Sequence, residues 1–293
     1  MKKYQTLPYI LLLGFFFGTN LVAARFSLGQ FSSNTFLGLR LSIVSFGYIL
    51  LYLFSKKNTF PRDKKIWLHG GVFGLIGMAI PMACFIGSLN YQSSGVTSLL
   101  ATLNAPATIV LSHFLLKDEK LNRKKLIGVL IAFAGAGLVL LRGESGLAEF
   151  AKADWRGYAM VGVGILGTAC GLIYARHFLK DGKDLDVVSI RIFTATIIIV
   201  PLAFLTDGFD LSRVQLSGWL ALAYSVIFCT FTAFWLEFHI IRRFGASQAS
   251  QASYLIPLVA TLLGALLLDE QITLTIIAGM AAIFVGLYLL NRK

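Results

Sequence analysis

Ten long apolar segments, separated by short polar loops, dominate this sequence. They cover residues 7–24, 35–54, 67–89, 95–116, 126–141, 157–175, 187–205, 217–240, 247–268 and 273–290. A helix needs about 20 mostly apolar residues to cross the hydrocarbon core of a bilayer, and a chain in lipid must satisfy its backbone polar groups internally. The pattern therefore predicts an all-α integral membrane protein with ten transmembrane helices.

The composition argues against a water-soluble fold. Hydrophobic residues make up 57% of the chain and charged residues 14%, whereas soluble domains carry roughly 25% charged residues. A net charge of +12 is also typical of nucleic-acid binding, but nearly all of these cations lie in short loops between apolar segments. Loop cations of this kind set membrane orientation, so we predict a lipid bilayer as the surroundings and no nucleic-acid partner.

Lysine and arginine are distributed unequally between the two sides of the predicted membrane. The side with both termini and the even-numbered loops carries nineteen, the opposite side carries five, and Arg40 and Arg191 lie within spans. Cytoplasmic loops carry the excess of positive charge. The distribution predicts that both termini are cytoplasmic, which an even number of spans also requires.

Distinctive residues recur at a spacing of 151 positions. The pairs include Arg25 with Arg176, Arg40 with Arg191, Pro106 with Pro257, and Asp118-Glu119 with Asp269-Glu270. The repeated unit holds five spans, an odd number, so the second copy must enter the membrane from the opposite side. We therefore predict two inverted five-helix repeats, residues 1–146 and 147–293. Such repeats are characteristic of secondary transporters.

Several motifs carry a family resemblance that extends over essentially the whole chain. They are Gly18-Thr19-Asn20-Leu21-Val22-Ala23, Arg40, Leu103-Asn104-Ala105-Pro106, Lys117-Asp118-Glu119-Lys120-Leu121, and their echoes Leu255-Ile256-Pro257 and Leu268-Asp269-Glu270-Gln271-Ile272. In order and duplication they resemble the drug/metabolite transporter superfamily, and most of all its ten-helix EamA-type members. The resemblance implies a secondary exporter of amino acids or similar small metabolites in the bacterial inner membrane, with alternating access and no cofactor.

Polar residues within the fourth and ninth spans are candidates for lining a substrate cavity. On the ninth span Ser247, Ser250, Gln251 and Tyr254 follow helical spacing, and on the fourth Thr97, Asn104 and Thr108 do. Polar side chains inside a membrane usually face the bundle interior, although small hydroxylated residues also serve helix packing. We predict substrate contacts at Asn104, Thr108, Gln251 and Tyr254.

The two arginines within spans lie one to two turns inside opposite membrane faces. Their side chains can snorkel to the headgroups or hold helix ends together at alternate gates. For Arg40 and Arg191 we favour a structural or gating role over direct substrate contact.

Glu237 is the one carboxylate well inside an apolar segment, in Phe234-Trp235-Leu236-Glu237-Phe238-His239. One interpretation is an ion pair with Arg242 or His239, and the other is a protonatable coupling site or a site for a substrate ammonium. Burial disfavours a charged carboxylate, so its protonation can follow the conformation around it. Glu237 and His239 are thus coupling candidates, and the nearby Trp235 is a candidate for the aromatic wall of a binding site.

Two other functions remain open at this point. A nucleotide-sugar or sugar-phosphate exchanger would need several converging cations within the spans, and only Arg40 and Arg191 are available. An intramembrane enzyme is less favoured, because the chain lacks recognisable catalytic motifs such as HExxH. The three cysteines lie in separate apolar segments without ligand spacing, so no metal is predicted. We expect a small-molecule substrate and favour a monomer.

Overall fold

A computed structural model describes residues 2–55, 59–116, 120–148, 154–180, 182–244, 246–249 and 251–291, without the side chains at 2–5, 207, 238, 241, 242, 246 and 247. Within these ranges the chain is helical and has no strand. We number the ten main helices α1 (Lys2–Ser27), α2 (Ser33–Phe54), α3 (Lys64–Ser88), α4 (Ser94–Leu115), α5 (Arg123–Leu141), α6 (Trp155–Phe178), α7 (Asp184–Asp207), α8 (Leu216–Phe244), α9 (Ala252–Leu268) and α10 (Leu274–Asn291). The ten-helix membrane fold is confirmed.

Three of these helices are irregular, and one predicted span is divided. α3 contains a π-helical turn at Leu75–Ala79 and α8 contains one at Ile227–Thr232, at nearly equivalent positions of the two repeats. α4 breaks at Thr102 and Leu103, because Pro106 has no N–H to donate to the Thr102 carbonyl. The predicted ninth span is divided in the structure into a short helix, Ala246–Ala249, and α9.

Contacts between equivalent helices show how the two repeats are related. Along the α2–α7 pair, Asn34 donates to Thr206, Ser45 bonds with Thr196 at 2.7 Å, and Tyr52 bonds with Ser189 at 2.9 Å. The residue number rises on α2 as it falls on α7, so these two helices are antiparallel. Ser45 and Thr196 are also separated by 151 residues, the repeat spacing. The halves therefore meet in inverted orientation, as the odd number of spans predicted.

Glycines allow α5 and α10 to cross closely. A methyl group on Gly128 would lie 2.7 Å from the Gly286 carbonyl oxygen, and one on Gly135 would lie 2.8 Å from the Gly279 carbonyl oxygen. These four positions are two equivalent pairs. Small residues of this kind let membrane helices approach each other, and here they join the final helix of each repeat.

Candidate functional site

A cavity of about 980 Å³ lies between α2, α7 and α8. Its aromatic wall consists of Tyr48, Phe231, Phe234, Trp235 and His239. This volume matches the upper range of small-molecule sites, which are mostly apolar with a few polar groups. The arrangement suits a small ligand that carries an apolar or aromatic part.

The charged residues of the cavity wall cluster at one end. Lys183 and Asp184 begin α7, and Arg243 lies one residue before the end of α8. Arg191 lies eight residues beyond Lys183, or about 12 Å deeper at the rise of an α-helix. The deep end of the cavity is therefore next to a further cation, Arg191.

Arg191 lies behind the aromatic wall. Its guanidinium is 5.5 Å from the centre of the Phe234 ring and 5.6 Å from that of Phe73. Glu237 and Tyr48 interact with it electrostatically. Its Nε atom is buried and has no hydrogen-bond partner among the described residues. Arg191 is therefore a partly buried cation with two cation–π neighbours and an unused donor at Nε.

The electrostatic partner of Glu237 is Arg191, which lies on α7 in the same repeat. The structure gives no bond between Glu237 and His239, and the side chain of Arg242 lies outside the described residues. This pairing connects α8 with α7, whereas the sequence suggested neighbours along α8 itself. A long-range partner of this kind has no signal in the sequence.

His239 and Trp235 lie one turn apart on α8 and both line the cavity. Their rings stack with centres 5.5 Å apart, and His239 also packs against Tyr9 at 5.4 Å. The Nε2 atom of His239 is buried without a hydrogen-bond partner in the described part of the chain. Trp235 is 64% exposed, so it lies where the cavity wall meets the outer surface of the bundle.

Arg40 has a different environment from its repeat equivalent. It is 1% exposed, its Nε and Nη2 donate to Thr230 Oγ1 at 3.0 and 2.8 Å, and its Nη1 donates to Asn20 Oδ1 at 2.6 Å. Thr230 belongs to the π-helical turn of α8 and itself donates to the Ser225 carbonyl. Arg40 thus ties α2 to α1 and α8, and it does not line the cavity.

The remaining predicted substrate contacts lie away from this cavity. Asn104 has a buried Oδ1 without a described partner, and Thr108 donates to the Asn104 carbonyl. Tyr254 accepts a bond from Asn291 and packs against Phe284, and Gln251 is exposed. Ser247 and Ser250 lie outside the described side chains. The substrate role of Asn104, Thr108, Gln251 and Tyr254 stays a prediction.

Tyr48, Phe231 and Phe234 are cavity residues that the sequence analysis did not select. Aromatic residues are frequent throughout the apolar segments, so Phe231 and Phe234 had no distinguishing signal. Tyr48 and Tyr52 lie one turn apart on α2. Two hydroxyl-bearing side chains on one face of a membrane helix could have indicated that this face adjoins a cavity. Tyr52 bonds with Asp186 and Ser189 near the charged end of the cavity.

At the opposite end of the bundle, hydrogen bonds join the loop after α9 to the start of α4 and to the loop after α5. Glu270 accepts bonds from the Ser94 N–H and hydroxyl, both at 2.8 Å, and from the Gly95 N–H at 3.2 Å. Burial raises the pKa of Glu270, and the bonds from Ser94 and Gly95 oppose that shift. Nearby, Gln271 N–H donates to the Gly146 carbonyl. The acidic residue caps α4 of the other repeat, where four N–H groups lack helical partners.

The EamA-like transporter family matches this chain twice, over residues 6–141 and 155–292. The chain belongs to the EamA-like transporter family. A solved crystal structure with 20% identity aligns over 98% of this chain and 96% of its own, with a TM-score of 0.66, and it supports the fold alone.

Relatives of this family member carry transporter names. An uncharacterized transporter of Archaeoglobus fulgidus is 26% identical over the full length of both chains. One from Bacillus subtilis is 25% identical over 87% of this chain and 84% of its own. A probable amino-acid metabolite efflux pump of Escherichia coli is 25% identical over 93% of this chain and 90% of its own. The chain is therefore a multi-pass membrane transporter.

Proposed function

We propose that this protein exports amino acids or similar small zwitterionic metabolites across the cytoplasmic membrane. The observation that carries the proposal is a cavity with aromatic walls in which the wall residue Phe234 covers Arg191, a cation paired electrostatically with Glu237. Two neighbouring charges of opposite sign complement a zwitterion, and the aromatic residues complement an apolar side chain. The relative named a probable amino-acid metabolite efflux pump supports this substrate class.

The charge distribution of the loops supports an orientation with both termini in the cytoplasm. In that orientation the cavity end with Lys183 and Arg243 lies on the cytoplasmic side, and the Glu270 contacts close the periplasmic side. This is the arrangement of an inward-facing state in alternating access.

Proton coupling through Glu237 is part of the proposal. The charged group that interacts with Glu237 in the described structure is Arg191 from α7. A conformational change that separates Glu237 from Arg191 would favour its neutral form, and one that brings them together would favour the carboxylate. Protonation would then shift the equilibrium between inward-facing and outward-facing states.

The sugar-phosphate alternative is disfavoured by the same pair of charges. A phosphate dianion needs several converging donors and no nearby carboxylate, but Glu237 neighbours Arg191 and Asp184 neighbours Lys183. Transport assays with a phosphorylated sugar in the substrate panel test this alternative directly.

Reconstituted vesicles should show saturable transport of amino acids that depends on the cavity. Val188→Trp places a large ring in the cavity wall and is expected to reduce the rate about tenfold, because overfilling a packed site costs roughly 1–3 kcal/mol. Uptake of radiolabelled amino acids measures this.

Val163→Trp is the matched control, since Val163 is 49% exposed on α6 and faces away from the cavity. Equal transport by the two variants, or transport of a sugar phosphate in preference to every amino acid, contradicts the proposed function.

Cysteine labelling should place the loop between α9 and α10 outside the cell. Gln271 has an exposed side chain, so Gln271→Cys in a background without native cysteines is expected to react with an impermeant thiol reagent in whole cells. Protection of this cysteine, together with labelling of Lys120→Cys, would reverse the proposed orientation.

A further inference from the structure

The repeat duplicates an arginine, and the two copies have different surroundings. Arg40 donates three hydrogen bonds to neutral side-chain oxygens, two to Thr230 and one to Asn20. The spacing that relates Arg40 to Arg191 also relates Asn20 to Gly171 and Thr230 to Ala79. Arg191 therefore lacks both of the acceptors that Arg40 has, because glycine and alanine have no side-chain oxygen.

Near Arg191, the backbone of two helices occupies the space that side-chain acceptors would need. Gly171 of α6 packs directly against Gly77 in the π-helical turn of α3. Arg191 instead lies between the rings of Phe73 and Phe234, and its buried Nε has no acceptor in the described structure. Leaving a buried N–H donor without an acceptor is costly, so the site favours a ligand that brings an acceptor to Nε.

The route for such a ligand is the cavity itself. Phe234 lines the cavity and also covers the Arg191 guanidinium, so a single aromatic ring separates the unused donor from the ligand space. Aromatic side chains at such positions change rotamer without movement of the helix. A turn of the Phe234 side chain would bring the guanidinium into contact with a bound molecule.

We propose that Arg191 binds the carboxylate of the transported molecule, while Arg40 serves only to hold the helices together. This inference rests on the proposed function and specifies its substrate class as monocarboxylates with a neutral, preferably aromatic, side chain. The guanidinium presents paired donors that match a carboxylate. Glu237 beside it opposes a second anionic group, and Tyr48, Phe231 and Trp235 surround the apolar part.

The test compares ligands that differ only in the carboxylate. Binding of L-phenylalanine and L-phenylalaninamide to the full-length protein in nanodiscs is measured by competition with radiolabelled L-phenylalanine. The wild type should prefer the acid by roughly tenfold or more, the scale expected for a hydrogen bond to a charged group. Arg191→Gln should lower the affinity for the acid to that of the amide and leave the amide affinity unchanged.

Arg156→Gln is the matched control, because Arg156 is exposed at the start of α6, far from the cavity, and it should retain the preference for the acid. Equal weakening of both ligands in Arg191→Gln would overturn the inference, since that result indicates a structural role. Should Arg191→Gln fail to fold, Arg191→Lys keeps the charge without the paired donors, and an unchanged preference there also overturns it.

Failure of the proposed function gives a different result. Wild-type protein that binds neither phenylalanine nor its amide, nor any other amino acid, contradicts amino-acid export and the inference with it. Wild-type protein that binds both ligands equally leaves amino-acid export standing and contradicts only the role of Arg191.

Discussion

Arg40→Leu is expected to yield protein that is poorly expressed and strongly destabilised. The change removes three hydrogen bonds and leaves the oxygens of Thr230 and Asn20 buried without a charged donor. Unsatisfied buried groups cost roughly 1–3 kcal/mol each, so we expect a loss of about 3–5 kcal/mol, with the lost packing included. In a thermal melt of the purified protein, this corresponds to a Tm lower by roughly 10 °C.

Arg191→Leu is the natural control, because it makes the same change at the equivalent position of the other repeat. The Nε atom of Arg191 has no hydrogen-bond partner among the described residues, and leucine suits the space between Phe73 and Phe234. Glu237, the electrostatic partner of Arg191, can take up a proton when the cation is lost, so no unpaired charge remains. We expect Arg191→Leu to keep a Tm near that of the wild type and to lose transport. Equal destabilisation by the two variants would show that the arginines have the same role.

Glu237→Gln is expected to abolish accumulation driven by a pH gradient while downhill exchange continues. Glutamine resembles the neutral carboxyl group, so it removes the dependence of the conformational equilibrium on protonation. A gradient of one pH unit is worth about 1.4 kcal/mol per proton, so one-to-one coupling concentrates substrate about tenfold. The variant should equilibrate its substrate without concentrating it, as measured in vesicles with an imposed pH gradient.

Glu144→Gln provides the comparison for this experiment, because Glu144 lies in the loop between α5 and α6 at the closed end of the bundle. It should retain the wild-type accumulation. If Glu237→Gln accumulates substrate with the same pH dependence as the wild type, Glu237 is a structural partner of Arg191 and the coupling group lies elsewhere.

The candidate site was partly accessible from the sequence. Glu237 was selected because a carboxylate in an apolar segment is rare, and Trp235 and His239 were selected because they lie near it. Arg191 was selected by its place in the repeat, but its partners were not predictable. Phe73 lies on α3, 118 residues before Arg191, and Phe234 lies on α8, 43 residues after it. The sequence holds no information about which aromatic rings pack against the guanidinium.

The polar stripes on the fourth and ninth spans illustrate the same limit. Periodicity shows that Gln251 and Tyr254 share a face of a helix, but a shared face has several possible neighbours. In the structure Tyr254 faces Asn291 and Phe284 of α10, whereas the cavity has formed between α2, α7 and α8. Which face adjoins open space depends on the packing of helices that are distant in sequence.

The sequence by itself determined the ten spans, the duplication and the inversion of the repeats. Each of these depends on properties that are local or additive along the chain: the length of apolar segments, the parity of the span number and the spacing of repeated residues. The tertiary structure decided which of the two equivalent arginines donates hydrogen bonds to side-chain oxygens. That difference arises because Asn20 and Thr230 lie on α1 and α8, and only the packing of those helices against α2 brings their oxygens to Arg40.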